Sequence, residues 1–357
     1  MKIGILTYYG VHNHGAVLQA NALRTYLRKK GHTVYFLSFE RNYDYIPPEN
    51  AKKYKGGLAS LPFYSKYLIE KGLSNILYNV KKTRVLNTYR KSRLPVIESF
   101  DKFDGDMIII GSDEVFSLEI GYNPCLYGIG LKSKKIISYA GCFGPTTVDD
   151  IKSKKLASPI AEGLNKMTAI SVRDGNSKSV VEQLTDREAI LVCDPVIMYG
   201  YKKEMSLFTP NDRDYIVIYA YDRSMQDPKE IAAIKAFAKR HHKKIYSVAY
   251  HHNWCDKNIQ ANPNQLLGWI KYADCVITDT FHGSVLSIVC NTPMIVKLRE
   301  NKNKLEFLLQ EFELKDRIIS KFEELDSVYK RKVDFSKVNV HINERRKASR
   351  SFLDEFI

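Results

Sequence analysis

Short apolar segments recur along the whole chain and alternate with longer segments whose apolar residues follow a helical spacing. Segments of the first kind are typical of buried parallel strands, and those of the second kind indicate amphipathic helices. The predicted strands span residues 2–9, 32–39, 106–110, 136–140, 169–172, 190–192, 215–221, 244–250, 275–278, 294–298 and 318–319. The predicted helices span residues 16–30, 148–161, 177–184, 228–241, 265–272, 305–312 and 341–356. This alternation predicts an α/β fold with parallel sheets.

A polar, charged and turn-rich stretch at residues 200–214 interrupts the alternation, which then restarts. A chain of 357 residues also favours two domains of ordinary size over one. We therefore predict an N-terminal domain at residues 1–200 and a C-terminal domain at 201–335. The predicted helix at the end of the chain, within residues 336–357, can cross back to the first domain.

Polar residues cluster behind the predicted strand 275–278, within the stretch 274–298. The apolar segment 284–290 that follows is either a buried helix or a second strand. In a compact βαβ unit, ligands bind at the carboxyl ends of the strands. This places a candidate site at five residues that follow the strand: Asp279, Thr280, His282, Gly283 and Ser284.

The loop after the first predicted strand holds His12, Asn13 and His14 and leads into the first helix. It lacks the Gly-x-Gly-x-x-Gly pattern, so no dinucleotide cofactor is inferred. The N–H groups at the start of the helix are suited to hold an anion or a sugar hydroxyl. Two further strands end in charged residues that can face the same cleft, Asp113 and Arg173.

The chain is basic, with 55 Lys and Arg against 40 Asp and Glu. Much of this excess lies in residues 43–100, which depart from the alternating pattern and form a predicted helical insertion. The insertion is either a solvated surface or a docking surface for an anionic membrane or a lipid-diphosphate-linked substrate. Nucleic acid is not an expected partner, because no nucleic-acid-binding motif accompanies the charge. The basic residues expected to dock are Lys81, Lys82, Arg84, Arg90 and Lys91.

The six cysteines form no Cys-x-x-Cys pair and several lie in apolar segments, which is typical of reduced core residues in a cytoplasmic protein. No metal-site spacing is present, and neither a signal peptide nor a membrane span is expected. We therefore predict a cytoplasmic protein that can touch the inner face of the membrane through its insertion. The oligomeric state is left open.

Six short motifs occur in a characteristic order along the chain. They are Asn13-His14-Gly15-Ala16-Val17-Leu18-Gln19, Gly111-Ser112-Asp113, Ser138-Tyr139-Ala140 with Phe143-Gly144, Ile170-Ser171-Val172-Arg173, Asp194-Pro195 and Thr278-Asp279-Thr280-Phe281-His282-Gly283. In this combination the chain resembles the polysaccharide pyruvyl transferase family over residues 1–320. The resemblance implies a glycosyltransferase-B-like architecture, in which two Rossmann-like domains face each other across a cleft.

The resemblance also implies a reaction. Members of the family transfer pyruvate from phosphoenolpyruvate to two hydroxyls of a sugar in a cell-surface polysaccharide precursor, forming a ketal and releasing phosphate. The expected partners are phosphoenolpyruvate as co-substrate and a sugar or lipid-linked oligosaccharide as acceptor, with no cofactor and no metal. Alternatives are a glycosyltransferase with a nucleotide-sugar donor and a non-catalytic scaffold for glycan assembly.

The family motifs assign roles to several residues. His282 matches a general acid, Arg173 a donor-binding arginine, and Asp113 an acidic residue that is the first candidate for the base, ahead of His12 and His14. Some relatives carry Arg-Leu-His where this chain has Thr280-Phe281-His282.

The remaining roles follow from chemistry. The N–H groups at Gly283 and Ser284 suit a phosphate, and Lys297, Arg299 or Lys304 can replace the arginine absent at Thr280. The acceptor is expected to lie against the first loop and helix, at His12, Asn13, His14, Gly15 and Gln19.

Overall fold

The computed structural model describes residues 1–42, 61–97, 99–299 and 303–357. These residues form two parallel β-sheets with helices on their faces. The part of the predicted insertion at residues 43–60 lies outside the described residues.

The first sheet has seven strands in the order β3-β2-β1-β4-β5-β6-β7, and every neighbouring pair is parallel. Its strands are β1 (Lys2–Leu6), β2 (Thr33–Leu37), β3 (Val96–Ile97), β4 (Met107–Ile110), β5 (Lys135–Gly141), β6 (Ala169–Val172) and β7 (Ile190–Leu191). The central strands are buried on both faces, which explains why they read as continuous apolar runs in the sequence.

The second sheet has six strands in the order β10-β9-β8-β11-β12-β13, again all parallel. Its strands are β8 (Tyr215–Tyr219), β9 (Lys244–Val248), β10 (Lys257–Ile259), β11 (Cys275–Thr278), β12 (Met294–Lys297) and β13 (Ile318–Ile319). Both sheets therefore reverse their strand order at one point, between β1 and β4 in the first and between β8 and β11 in the second. Ligands of open α/β sheets bind at such switch points.

The helices cover the faces of the two sheets. They are α1 (His14–Lys29), α2 (Leu61–Arg93), α3 (Val148–Ser153), α4 (Ala157–Lys166), α5 (Gly175–Leu184), α6 (Pro195–Tyr199), α7 (Lys202–Met205), α8 (Pro228–Arg240), α9 (Pro263–Lys271), α10 (Phe281–Cys290), α11 (Asn303–Glu311), α12 (Leu325–Lys330) and α13 (Phe335–Phe356). The ambiguous segment 284–290 is helical, as part of α10. The predicted helix 148–161 is two helices, α3 and α4, and the stretch 200–214 contains the short helix α7.

The long helix α2 belongs to the insertion, bends at Gly72 (φ 73°), and packs against the second domain. The Tyr78 hydroxyl donates to the Ile259 carbonyl at 2.8 Å, and the Tyr89 hydroxyl donates to Asn264 Oδ1 at 3.2 Å. Lys82, on the same face, is only 5% exposed, so its predicted role in membrane docking is wrong. Lys81, Arg84 and Lys91 are exposed, while Arg90 is half-buried and donates to the Val11 carbonyl.

The C-terminal helix α13 lies against the first domain. The Ser349 hydroxyl is buried and accepts a hydrogen bond from the Cys193 amide at 2.8 Å. The Asp354 carboxylate accepts from the Tyr26 hydroxyl at 2.6 Å and from Lys30 at 2.7 Å. The helix begins at Phe335, earlier than the predicted start at 341.

Replacement of Ser349 by Ala should lower the free energy of unfolding by about 1–3 kcal/mol, because the buried Cys193 N–H loses its acceptor. Chemical denaturation measures this change. Ser351→Ala is the control, since Ser351 is exposed on the same helix and its loss should be neutral. Equal stability of the two variants would contradict the importance of this contact for docking α13.

Candidate active site

The loops at the two switch points face each other, so that the first turns of α1 and α10 meet. Gly15 lies in the first turn of α1, and a Cβ atom built on it would stand 2.2 Å from Cγ of His282. Only glycine therefore allows this approach. The histidine ring packs directly on the backbone of the opposite domain.

His282 is 6% exposed, and its Nε2 atom is fully buried. Nε2 has no hydrogen-bond partner within the described ranges. A buried polar nitrogen without a partner is costly, and such atoms occur at sites where a ligand supplies the missing bond. This is the feature expected of an acid that acts on a bound substrate.

The start of α10 is built by threonine side chains. The Thr280 hydroxyl caps the helix by accepting from the Gly283 amide at 3.0 Å, and Thr278 Oγ1 accepts from the Thr280 amide at 3.0 Å. The Ser284 amide donates to the Thr280 carbonyl at 3.3 Å. The N–H groups of Gly283 and Ser284 are thus already bonded within the helix, and their predicted donation to a phosphate does not fit this arrangement.

Arg173 connects three parts of the site. Its terminal nitrogens donate to Asp194 Oδ2 and Asp113 Oδ1, both at 3.1 Å, and its guanidinium lies 4.3 Å from the centre of the Phe281 ring. The Arg173 side chain is 1% exposed, whereas that of Asp113 is 16% exposed. Arg173 therefore holds Asp113 in position and reaches across to the second domain, and its predicted contact with the donor stays a prediction.

The positive charges near His282 and Asp113 lower the pKa of both groups, whereas burial acts on the two in opposite directions. Burial lowers the pKa of His282, and Arg173 and Lys304 add to this effect, so that it outweighs Asp113 and Asp194. Burial raises the pKa of Asp113, but the positive charges of Arg173 and Lys304 and the hydrogen bond from Arg173 leave it lowered overall. Near pH 7 the ligand-free site therefore holds a carboxylate and a neutral imidazole.

Two of the three predicted replacements for the missing arginine are paired with acids, and the third, Lys297, donates to the Ser320 carbonyl. Lys304 of α11 forms an ion pair with Glu114 of the first domain, next to Asp113. Arg299 binds Glu230 at 2.8 Å and Asp279 at 3.1 Å. Lys304 thus lies at the junction of the domains beside the site, whereas Arg299 is held by carboxylates of its own domain.

Of the predicted acceptor-binding residues, His12 and Asn13 are at least partly exposed, whereas His14, Gly15 and Gln19 are buried. His12 is exposed and Asn13 is half-buried, where its Oδ1 caps α1 by accepting from the Gly15 amide at 2.9 Å. Gln19 is buried and donates to Thr7 Oγ1 at 3.1 Å. The buried His14 donates from Nε2 to the Ala261 carbonyl at 2.8 Å, because a carbonyl can only accept.

Neutral His14 consequently carries an unprotonated Nδ1, which is buried and has no partner among the residues described. Burial and the nearby charge of Lys82 lower the pKa of His14 to about 3. The position of Lys82 next to His14 was not predicted from the sequence, because nothing in a long basic stretch distinguishes a buried lysine from an exposed one.

Within the described part of the chain, no group of three or more His, Cys, Asp or Glu residues is arranged to hold a metal ion. All six cysteines are free thiols, and five of them are buried. Nor does any helix of these ranges have the length and apolar character needed to cross a membrane.

Replacement of Gly15 by Ala should lower the free energy of unfolding by about 1–3 kcal/mol, because the new methyl group overlaps the His282 ring. Helix propensity alone predicts the opposite sign, since Ala is favoured over Gly inside helices. Urea unfolding gives the value. Gly10→Ala is the matched control, because no described atom lies within 4 Å of its added Cβ. A stabilised Gly15→Ala variant would contradict the close contact.

The stability of the protein should depend on pH through His14. Above pH 6.5 this residue is neutral in the folded and the unfolded chain. Below that value the unfolded chain binds a proton that the folded protein, with a His14 pKa of about 3, does not. The stabilisation is thus lost as pH falls, by up to about 1.4 kcal/mol per pH unit.

Urea unfolding of the wild type and His14→Asn between pH 7 and 4 measures this contribution. The stability difference between the two proteins should shift in favour of the variant as pH falls. Parallel pH profiles would show that His14 is protonated without penalty.

The sequence profile of the family described as polysaccharide pyruvyl transferase matches residues 13–300. No curated protein shows significant sequence similarity to the chain. Among solved structures, the chain is similar to UDP-GlcNAc 2-epimerase from Methanocaldococcus jannaschii, with 11% identity, a TM-score of 0.51 and 99% of each chain covered. It is also similar to S. aureus MnaA, with 10% identity, a TM-score of 0.51, and 99% of this chain and 94% of that one covered.

At these identities the structural likeness shows the fold alone. It confirms the predicted architecture of two Rossmann-like domains of the glycosyltransferase-B type. The profile covers most of the chain and includes the loops that bring Asp113, Arg173 and His282 together. The chain belongs to the polysaccharide pyruvyl transferase family.

Proposed function

We propose that the protein transfers pyruvate from phosphoenolpyruvate to two hydroxyls of a sugar in a polysaccharide precursor. The observation that carries this proposal is the buried, unpartnered Nε2 of His282 at the meeting point of the two switch points. Membership of the family supports a transferase that acts on a polysaccharide precursor. The donor and the ketal chemistry are our inference.

In the first step, a protonated His282 delivers a proton to the methylene carbon of phosphoenolpyruvate while a sugar hydroxyl attacks the adjacent carbon. Asp113 accepts the hydroxyl proton, since it is ionised and partly exposed. In the second step, the second hydroxyl attacks the same carbon, phosphate leaves, and the proton of that hydroxyl departs with the phosphate. The products are a cyclic pyruvate ketal and inorganic phosphate.

His282 must gain a proton before it can act as the acid. In the free protein its pKa is lowered, mainly by burial. The negative charges of bound phosphoenolpyruvate raise the pKa of a nearby imidazole, so that binding of the donor itself charges the acid. The contact between Gly15 and His282 has to open for the donor to enter, which links proton uptake to binding.

Lys304 supplies a positive charge for the donor. Its ion pair with Glu114 is partly exposed, and an incoming phosphate can take the place of the carboxylate. Arg173 fixes the position of Asp113 by a buried ion pair and does not need to move.

The proposal predicts that the purified protein, phosphoenolpyruvate and a lipid-linked oligosaccharide yield free phosphate and an oligosaccharide heavier by one pyruvate ketal. Mass spectrometry and a phosphate assay detect the two products. His282→Gln should reduce the rate by at least about 100-fold without a change in melting temperature, because the proton donor is lost. His341→Gln, a change in a part-exposed histidine on α13, is the control.

The pH profile gives a second readout. kcat/KM should fall as pH rises through the lowered pKa of His282 in the free enzyme, below 6.5. If phosphoenolpyruvate releases no phosphate with any sugar acceptor while a nucleotide sugar is consumed, a glycosyltransferase takes the place of this proposal. If neither donor reacts and the His282→Gln variant keeps its cellular role, the protein is a non-catalytic scaffold and the proposal is wrong.

A further inference from the structure

Helix α2 places a lysine where an apolar residue is expected. Its buried positions between residues 75 and 89 follow the spacing of a helix face that packs on a neighbour. These positions are Asn75, Tyr78, Lys82, Leu86 and Tyr89. Lys82 stands in the middle of this stripe, and the hydrogen bonds of Tyr78 and Tyr89 clamp the helix to the second domain on either side of it.

The Lys82 side chain is buried next to an aromatic ring. Its ammonium lies 4.1 Å from the centre of the Tyr250 ring. Asp222 is the acid whose charge acts on it, but the Asp222 oxygens accept from the His251 amide at 3.0 Å and from Asn79 at 3.3 Å. An ammonium has three donors, so a bound anion is the chemistry that would satisfy this site.

Further buried polar groups lie near Lys82. Nδ1 of His14 is buried without a partner within the described residues, and the buried hydroxyls of Tyr219 and Tyr250 lie close to each other. The rings of Tyr219 and Tyr250 lie 5.3 Å apart, and the charge of Lys82 reaches His14. His14 is followed by Gly15, which packs on His282. The buried polar groups thus extend from the Lys82 ammonium to the proposed catalytic acid.

The hydrogen-bonding needs of His14 and Lys82 indicate whether phosphoenolpyruvate or the sugar acceptor binds beside them. Nδ1 of His14 carries a lone pair and needs a donor, because Nε2 holds the ring proton. Fully ionised phosphoenolpyruvate has no O–H to donate. A sugar hydroxyl does, and a sugar that also carries a phosphate or carboxylate group would satisfy Lys82.

We propose that Lys82, Tyr250 and His14 form the acceptor subsite, and that the acceptor is a sugar carrying an anionic phosphate or carboxylate group. The subsite rests on the proposed function, because it takes His282 as the reaction centre. It makes the insertion helix α2 a part of the active site. Lys82 binds the anion, and His14 accepts a hydrogen bond from a hydroxyl.

The subsite should respond to pH. Burial lowers the pKa of Lys82 to about 8, against the opposing charge of Asp222. The other titratable or charged groups near it are Tyr250, His14 and His12, and Arg90 acts on the same two histidines. Because Lys82 loses its charge as pH rises through about 8, affinity for an anionic sugar should fall between pH 7 and 9. Lys82→Arg, whose guanidinium stays charged, should keep its affinity over this range.

Isothermal titration of the full chain with glucose 1-phosphate, glucose and phosphoenolpyruvate tests the subsite. Lys82→Met should weaken binding of glucose 1-phosphate by at least about tenfold, since a charge-assisted hydrogen bond is lost. It should leave phosphoenolpyruvate affinity within about twofold and keep or raise the melting temperature, because an unpaired buried charge is removed. Lys81→Met is the matched control, since Lys81 is the exposed neighbour.

Unchanged affinity of Lys82→Met for glucose 1-phosphate would overturn the proposal. A loss of affinity for phosphoenolpyruvate alone would also overturn it, because Lys82 would then bind the donor. The same holds if affinity falls together with the melting temperature, because Lys82 would then serve to stabilise the fold. Equal affinity of the wild type for glucose and glucose 1-phosphate would also contradict it. Absence of phosphoenolpyruvate binding to the wild type would instead count against the proposed function, while the comparison with glucose 1-phosphate still decides the subsite.

Discussion

The contact between Gly15 and the imidazole of His282 determines how the two domains meet. A hydrogen atom is all that fits on Gly15, so the first turn of one domain's helix touches the first turn of the other's. Each of these helices follows a strand at a switch point, which is where parallel sheets leave room for ligands. The ring nitrogen that the proposed reaction needs is buried where this contact brings the two domains together.

Arg173 depends on this closure as well. A guanidinium that is 1% exposed loses its hydration, and two carboxylates and an aromatic ring have to replace it. Asp113 and Asp194 come from its own domain, but Phe281 comes from the other. Removing either acid would leave one terminal nitrogen of the buried guanidinium without its carboxylate, which costs more than the lost pair stabilises. The network therefore fixes the position of Asp113 near His282.

The sequence was sufficient to predict much of the fold, because parallel strands buried on both faces are continuous apolar runs. Two short edge strands, β3 and β10, were not predicted, because two or three residues are too few to show a strand pattern in the sequence. The candidate site was located because Asp113, Arg173 and His282 each follow a strand. Local hydrogen bonds could not be predicted from the sequence. In particular, the sequence does not show that Thr280 caps α10 and that the Gly283 amide is therefore already bonded.

Helix α2 of the insertion has an exposed side and a buried side, and the basic composition alone does not reveal which lysines lie on each. Its basic residues predict one docking face, but in a helix only every third or fourth residue shares a side. Lys81 and Arg84 face water and keep their hydration, whereas Lys82 faces Tyr250 inside the protein. An apolar side chain at position 82 would pack on that tyrosine without the desolvation of a charge. A lysine there is unfavourable for the ligand-free fold, and the proposed anion beside it would remove that penalty.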